Sequence, residues 1–296
     1  MNILCIGNAT WDRIFNVNEI PSEATKYFST SYHEIGGGVA ATAAVAIATL
    51  GANVSLLTRL GNDNVGRAIK EDLNKWGVDT SLLQQFNDTS SSNAVVHVDP
   101  AGERQITVHR DSNLPVNSDW ITEELLENID CILCDCTWSE GAEKLLTLAN
   151  SKGIPSVIDA DLGGETMAKL VSLGTDVAFS YPALCQMTGE TDIEKALLAA
   201  QQNTNGTVYV TNGEHGCYWV EDNIVKHVSG YRVNVVDTTG AGDVFHGALA
   251  FAIAKKLKGE NAVNFANAVA ALKCTKPGGR AGIPDYDQVI NFIKSH

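Results

Sequence analysis

The sequence predicts an α/β fold, a three-layer structure whose mostly parallel sheet carries helices on both faces and a small β lid. Three observations predict it. Short strand-like runs alternate with longer helical patterns through most of the 296 residues, the arrangement from which parallel sheets are built. The strand-like runs are apolar throughout instead of alternating, as strands covered on both faces are. Two segments break the alternation, and both suit a small antiparallel sheet standing off the main one.

In chain order, NILCIG at 2–7 is the first buried strand. Residues 13–35, RIFNVNEIPSEATKYFSTSYHEI, are polar and aromatic with strand-like alternation in their second half, which gives the first lid segment. VAATAAVAIATLG at 39–51 is apolar all round and reads as a buried helix; NVSLLTRLG at 53–61 is a strand and NVGRAIKEDLNKWG at 64–77 an amphipathic helix. SSNAVVHVDPAGERQITVHR at 91–110 is a hairpin turning at PAGE and forms the second lid segment. TEELLENI, SEGAEKLLTLANSKG, ETMAKLVSLG and IEKALLAAQQN read as helices between the strands CILCDC, PSVIDA, DVAFSY and TVYVTNG. YRVNVV at 231–236 is strand-like, and VFHGALAFAIAKKL at 244–257 is a buried helix. With no internal repeat or low-complexity linker, residues 1–296 form one domain whose lid comes from about 13–35 and 91–110. An edge extension of the main sheet is the alternative for both lid segments.

Composition narrows the function. A hydrophobic content of 44% supports one large core in a soluble globular chain. The net charge of −14, with no basic block, argues against nucleic-acid and anionic-membrane partners. The N-terminal apolar run is too short, and lacks the basic lead, for a signal peptide, and no run is long enough to span a bilayer; a cytoplasmic location is expected. Seven scattered cysteines fit a reducing compartment. Cys131, Cys134 and Cys136 of CILCDC read as buried thiols, because no histidine or second cysteine pair completes a four-ligand site.

The segment VDTTGAGDVFHG at 236–247 carries the chemistry. Glycines between an apolar run and a helix leave backbone N–H groups free to curl around an anion, and the helix start adds its own unpaired donors and positive dipole end. Asp243 at the edge of that cradle is placed to take a proton from a hydroxyl while Gly240, Ala241 and Gly242 donate to developing phosphoryl charge. On this segment alone, a strand-to-helix turn with Asp243 as a cap stays open. A dinucleotide loop is disfavoured because the glycine spacing is not GxGxxG.

Several motifs in order resemble the ribokinase, or PfkB-type, carbohydrate kinase family over essentially the whole chain. They are EIGGGVAATAAVAIATLG at 34–51, LGNDNVG at 60–66, VTNGEHG at 210–216, DTTGAGD at 237–243 and FANAVAALKCTKPGG at 265–279. The resemblance implies a ribokinase-like fold, ATP and Mg²⁺ as phosphoryl donor and metal, and a sugar as acceptor. It makes Asp243 the base and Gly240–Gly242 the anion hole, and places Asp12, Gly37 and Gly38 on sugar hydroxyls. Thr211, Gly213 and Gly216 fall near the nucleotide, with Asn267 and Gly278 on its adenine side. Asp237 and Thr239 match part of a monovalent-cation site for K⁺.

The departures matter too. Thr42 stands where many members have Asn, and the family's N-x-x-E motif is replaced by SYPALCQMTG from Ser180. Water-mediated contacts from Asp159 or Asp161 are then candidates for the Mg²⁺ shell, with surface or capping acids as the alternative. Within the family the chain is most similar to sulfofructose kinases, which phosphorylate C1 of 6-deoxy-6-sulfofructose. Lys26 matches a basic residue of that group, whereas Val108 and Thr137 stand where Asn and Arg are expected. Arg104 or Arg110 could supply a charge instead. A ketohexose or a close derivative is the expected acceptor; another pentose, a nucleoside, a sugar acid, or a noncatalytic sensor on the same scaffold are the alternatives. A lid with an exposed apolar face gives the expectation of a homodimer through the lid.

Overall fold

The computed structural model describes residues 1–161 and 164–296. Its strands are β1 (Asn2–Ile6), β2 (Thr10–Asn16), β3 (Ser31–Gly37), β4 (Asn53–Leu57), β5 (Arg59–Gly61), β6 (Gln84–Phe86), β7 (Asn93–Val98), β8 (Arg104–His109), β9 (Cys131–Asp135), β10 (Ser156–Ala160), β11 (Asp176–Ser180), β12 (Thr207–Thr211), β13 (Cys217–Glu221) and β14 (Ile224–Val228). Its α-helices are α1 (Val39–Thr49), α2 (Asn64–Lys75), α3 (Ser139–Lys152), α4 (Gly164–Leu173), α5 (Tyr181–Thr188), α6 (Ile193–Gln201), α7 (Ala241–Ala254), α8 (Gly259–Lys273) and α9 (Tyr286–Ser295).

The main sheet runs β14-β13-β12-β11-β10-β9-β1-β4, parallel from β12 to β4 and antiparallel at β13 and β14. Strand alternation sends side chains to two cores. Ile3 and Cys5 of β1 join the core under α1, α7 and α8, while Leu4 and Ile6 join the core under α3 to α6. The same parity puts Cys131 in the first core and Cys134 in the second, on opposite faces of β9, so these two thiols share no site. Burial raises both thiols well above the ordinary range.

The lid segments meet in a second sheet, β3-β2-β7-β8. It is mixed, not purely antiparallel, because β2 and β7 pair parallel and each carries its antiparallel neighbour outside. The strand content of the first segment sits at its two ends, with residues 17–30 forming a connection.

Four local readings change. NVSLLTRLG breaks at Thr58 into β4 and β5, because Thr58 Oγ1 turns to donate to the Gly7 carbonyl at 2.6 Å. TEELLENI makes only a 3₁₀ turn at Glu123–Leu126. YRVNVV is irregular; Val236 and Asp237 donate their N–H groups to the Cys274 carbonyl at the end of α8, at 2.8 and 3.1 Å, and not to a strand. The β13–β14 hairpin was hidden by its polar residues, yet it turns through Asp222 and Asn223, both at positive φ (52° and 60°), the residue types that two-residue turns favour.

Candidate active site

Ligand crevices in parallel sheets form beyond the C-terminal strand ends, and here those ends deliver Asn8 after β1, Asp135 on β9, Asp159 and Asp161 on and after β10, and Thr211 on β12. Asp135 is the buried fastener of the crevice. Its carboxylate accepts the N–H groups of Asn8 (2.8 Å), Ala40 (3.1 Å) and Thr137 (2.9 Å), together with the Thr137 hydroxyl. A side chain at Gly7 would overlap that carboxylate, its Cβ falling 2.2 Å from Asp135 Cγ. Thr137 is therefore committed to Asp135 through both its donors.

α7 starts at the anion cradle. Gly240 takes a left-handed conformation, φ 73°, as the residue before the helix, which only glycine adopts at little cost. Ala241 and Gly242 follow in the first turn of the helix, where N–H groups lack intrahelical acceptors; the Ala241 N–H donates back to the Thr238 carbonyl at 3.1 Å. A Cβ at Gly242 would meet no protein atom within 4 Å, so this glycine borders open space. Asp243 stands one residue further on. Burial, and then the neighbouring Asp159 carboxylate, push its pKa up to about 8, against the pull of His246 and Arg280.

His246 lies on the same helix, one turn on. Its Nδ1 faces Asp159 Oδ2 at 2.9 Å and the Gly242 carbonyl at 2.7 Å, and its Nε2 faces the Ala178 carbonyl at 3.1 Å. Both nitrogens meet only acceptors, so both must donate and the ring is an imidazolium. Burial disfavours that charge, but Asp159 outweighs it and the pKa is raised to about 9. Asp159 is thereby engaged by protein, while Asp161 is exposed and accepts the Ser180 hydroxyl at 3.0 Å.

The residues expected on the sugar side converge from β2, β3 and α1. Thr10 Oγ1 donates to Asp12 Oδ1 at 3.1 Å, and burial raises the Asp12 pKa. A Cβ at Gly37 would fall 2.2 Å from Asp12 Oδ2, and one at Gly38 would hit the backbone of Asn8 and Ala9 at 2.6 Å; these glycines let the acid and α1 close up. Arg280, 5% exposed, binds the group together: Nη2 donates to the Gly37 carbonyl (2.8 Å), Nη1 to Asp72 (2.6 Å) and Nε to Thr42 Oγ1 (3.4 Å). Its charge acts on both Asp12 and Asp243. Lys26 is exposed on the β2–β3 connection, and Val108 is exposed on β8.

On the other side of the cradle lies a cleft of about 860 Å³. Thr211, Gly213, Gly216 and Asn267 line it, with Ala241 and Gly242 at one end. Gly213 and Gly216 both have positive φ, and Asn267 donates to the Val228 carbonyl at 3.2 Å, tying α8 to the hairpin wall. Gly278 does not line this cleft; its N–H donates to Asp237 Oδ2 at 3.1 Å. Asp237 and Thr239 sit just before the cradle, with the Thr239 N–H donating to Asp237 Oδ1 at 2.9 Å.

Sequence reasoning missed His246, Arg280 and Lys273. Each had a signal, a charged or titratable residue isolated among apolar or glycine neighbours (VFHGALA, GGRAGI, AALKC). Such a residue is costly to bury without a partner.

The pfkB family carbohydrate kinase model matches residues 1–286. The chain is 27% identical to a ribokinase of Staphylococcus aureus, with 97% of this chain and 98% of the relative aligned. It superposes with a TM-score of 0.95 on a crystal structure of a provisionally named ribokinase from Agrobacterium tumefaciens, at 32% identity and 99% and 97% coverage. An Arabidopsis thaliana ribokinase complexed with ribose and ATP superposes at 0.88, with 24% identity and 99% and 98% coverage. Other curated relatives are named deoxyribokinase and fructokinase. With a family model running through residues 1–286, the chain belongs to the pfkB family of carbohydrate kinases.

Proposed function

We propose that this sugar kinase transfers the γ-phosphate of ATP to a primary hydroxyl of a ketohexose or a close derivative. The observation that carries the proposal is the position of Asp243, between the open cradle at Gly240–Gly242 and the Asp12–Gly37–Arg280 group. ATP lies in the cleft walled by Thr211, Gly213, Gly216 and Asn267, with its terminal phosphates at the cradle. The acceptor hydroxyl gives its proton to Asp243, its oxygen bonds to the γ-phosphorus, and the bond to the β–γ bridging oxygen breaks with ADP taking the electron pair. Asp12 and the Gly37–Gly38 turn orient the sugar. Mg²⁺ bound with the nucleotide would neutralise phosphate charge, and the exposed Asp161, which accepts the Ser180 hydroxyl, is the residue that would hold it.

A ketohexose is favoured over a sulfonated sugar by the state of Thr137, whose hydroxyl and N–H are both turned to Asp135 and offer no cation. Ribose is the second reading, supported by the names of the relatives above. ADP release measured against fructose, 6-deoxy-6-sulfofructose, ribose and a nucleoside, each with and without Mg²⁺, tests the proposal; turnover confined to ribose or the nucleoside would replace it. The lid also exposes Tyr32, Ile106 and Val108, each about half accessible, which supports pairing of two copies through the lid. Sedimentation of the free protein as a monomer at micromolar concentration would refute that pairing.

A further inference from the structure

The family resemblance assigns Asp237 and Thr239 to a monovalent-cation site, and the geometry around them does not suit one. A potassium ion is held by oxygen acceptors turned toward it. At Asp237 the oxygens are turned toward hydrogens. Oδ1 accepts the Thr239 N–H at 2.9 Å and Arg104 Nη2 at 3.2 Å, and Oδ2 accepts the N–H groups of Gly278 and Gly279 at 3.1 and 3.2 Å. The backbone carbonyl of Asp237 accepts Lys273 Nζ at 2.9 Å. Lys273 is fully buried, and its ammonium stands at the C-terminal end of α8, where the helix dipole favours positive charge.

We infer that the Lys273 ammonium is the resident cation of the anion-hole loop, so that this kinase works without a monovalent metal ion. An ammonium is a compact point charge with three directed donors, able to polarise a carbonyl as an ion would while staying covalently in place. Burial lowers its hold on the proton, and the Asp237 carboxylate opposes that effect. The structural consequence is direct. Lys273 and Cys274 together fasten Asp237 to the end of α8, since the Asp237 N–H donates to the Cys274 carbonyl at 3.1 Å. Asp237 begins the turn that presents Gly240, Ala241 and Gly242, so fixing it fixes the phosphate donors. The inference rests on reading that turn as the anion hole.

Two measurements on the intact chain test it, each in potassium chloride and in tetramethylammonium chloride at equal ionic strength. Calorimetric binding of a non-hydrolysable ATP analogue should agree within about twofold between the salts, and so should the thermal unfolding midpoint of the ligand-free protein within about 1 °C. Lys273→Met should lose at least tenfold in nucleotide affinity in tetramethylammonium and recover part of it in potassium. A saturable potassium effect on the unmodified protein, tenfold in nucleotide affinity or several degrees in unfolding midpoint, would overturn the inference whether or not the Met variant folds. If no nucleotide binds in either salt, the anion-hole reading fails, and the midpoint comparison still decides the cation question.

Discussion

At the scale of single residues, the site is a set of buried charges held at unusual protonation states. Asp243 is raised to about 8 by burial and Asp159, and His246 is raised to about 9 by Asp159 against its burial. A base that binds its proton this firmly should give kcat/KM an acid limb far above the ordinary carboxylate range near 4. A pH profile measured from 5 to 9 should be half-maximal near 8 and still rising above it; a flat profile down to pH 5 would contradict the assignment. His246→Gln removes the cation that favours the Asp243 carboxylate and should move the limb to higher pH. Linkage gives both groups the same sign for stability. Each folded pKa lies above its unfolded value, so each contribution is present at low pH and lost as pH rises, for Asp243 from about 4 through 8 and for His246 from about 6.5 through 9. Asp243→Asn removes a half-buried charge and should raise the unfolding midpoint at pH 8 by about 2–4 °C. The two glycines of the cradle separate fold from function. At Gly242 a Cβ would meet no protein atom, so Gly242→Val should fold normally while weakening ATP binding about tenfold or more, because its side chain enters the proposed phosphate space. Gly240→Val, forced into φ 73°, should lower the unfolding midpoint as well. Equal unfolding midpoints for the two variants would show that the cradle is not strained where the backbone places it.

At the scale of elements, an ion pair among the described residues joins the lid to the segment ahead of α7, the partly exposed Arg104 on β8 with Asp237. Pairs of this exposure contribute about 0–1 kcal/mol, enough to bias a lid and too little to lock it. Sugar binding should therefore slow amide exchange in β2, β3, β7 and β8 more than in β9 to β12. Equal protection in both sheets would make the lid a fixed extension. The elements also show what the sequence could disclose. Apolar runs such as NILCIG and CILCDC announced themselves because both faces of a parallel strand are buried, and the aspartate that interrupts the second, Asp135, stands at the strand's C-terminal end where the crevice opens. CYWVE and IVKHV did not, since β14 is an edge strand with exposed positions and its pattern is diluted by Lys226 and His227. YRVNVV misled for the opposite reason: it is rich in Val, yet Val235 and Val236 remain more than half exposed and the segment's hydrogen bonds go to a helix end. Asp243 and the glycines were legible because their chemistry is local. Arg280 and Lys273 were not, because their partners Gly37, Thr42, Asp72 and Asp237 are distant in sequence and only the fold brings them together.

At the scale of the whole molecule, the crevice brings together residues from opposite ends of the chain, the proposed sugar half from the first 42 residues and the proposed phosphate half from 237 onward, with Arg280 bonded to Gly37 and Thr42 and its charge acting on Asp243. The acceptor's identity depends on which charges reach the sugar half. Thr137 is held by Asp135 and Val108 is apolar, so a sulfonate lacks directed donors there; a missing charged hydrogen bond costs about 1.5–3 kcal/mol, or roughly ten- to a hundredfold. Fructose should compete well with 6-deoxy-6-sulfofructose, and a preference of several orders of magnitude for the sulfonate in kcat/KM would mean that Arg104, Arg110 or backbone groups read it instead. The account stands or falls on the base that serves both halves. Turnover of Asp243→Asn, measured by ADP release with saturating ATP, Mg²⁺ and the preferred sugar, tests it most directly. The predicted result is a folded protein that binds ATP as before and turns over about two to four orders of magnitude more slowly. A folded Asp243→Asn protein with near-normal kcat would contradict the account.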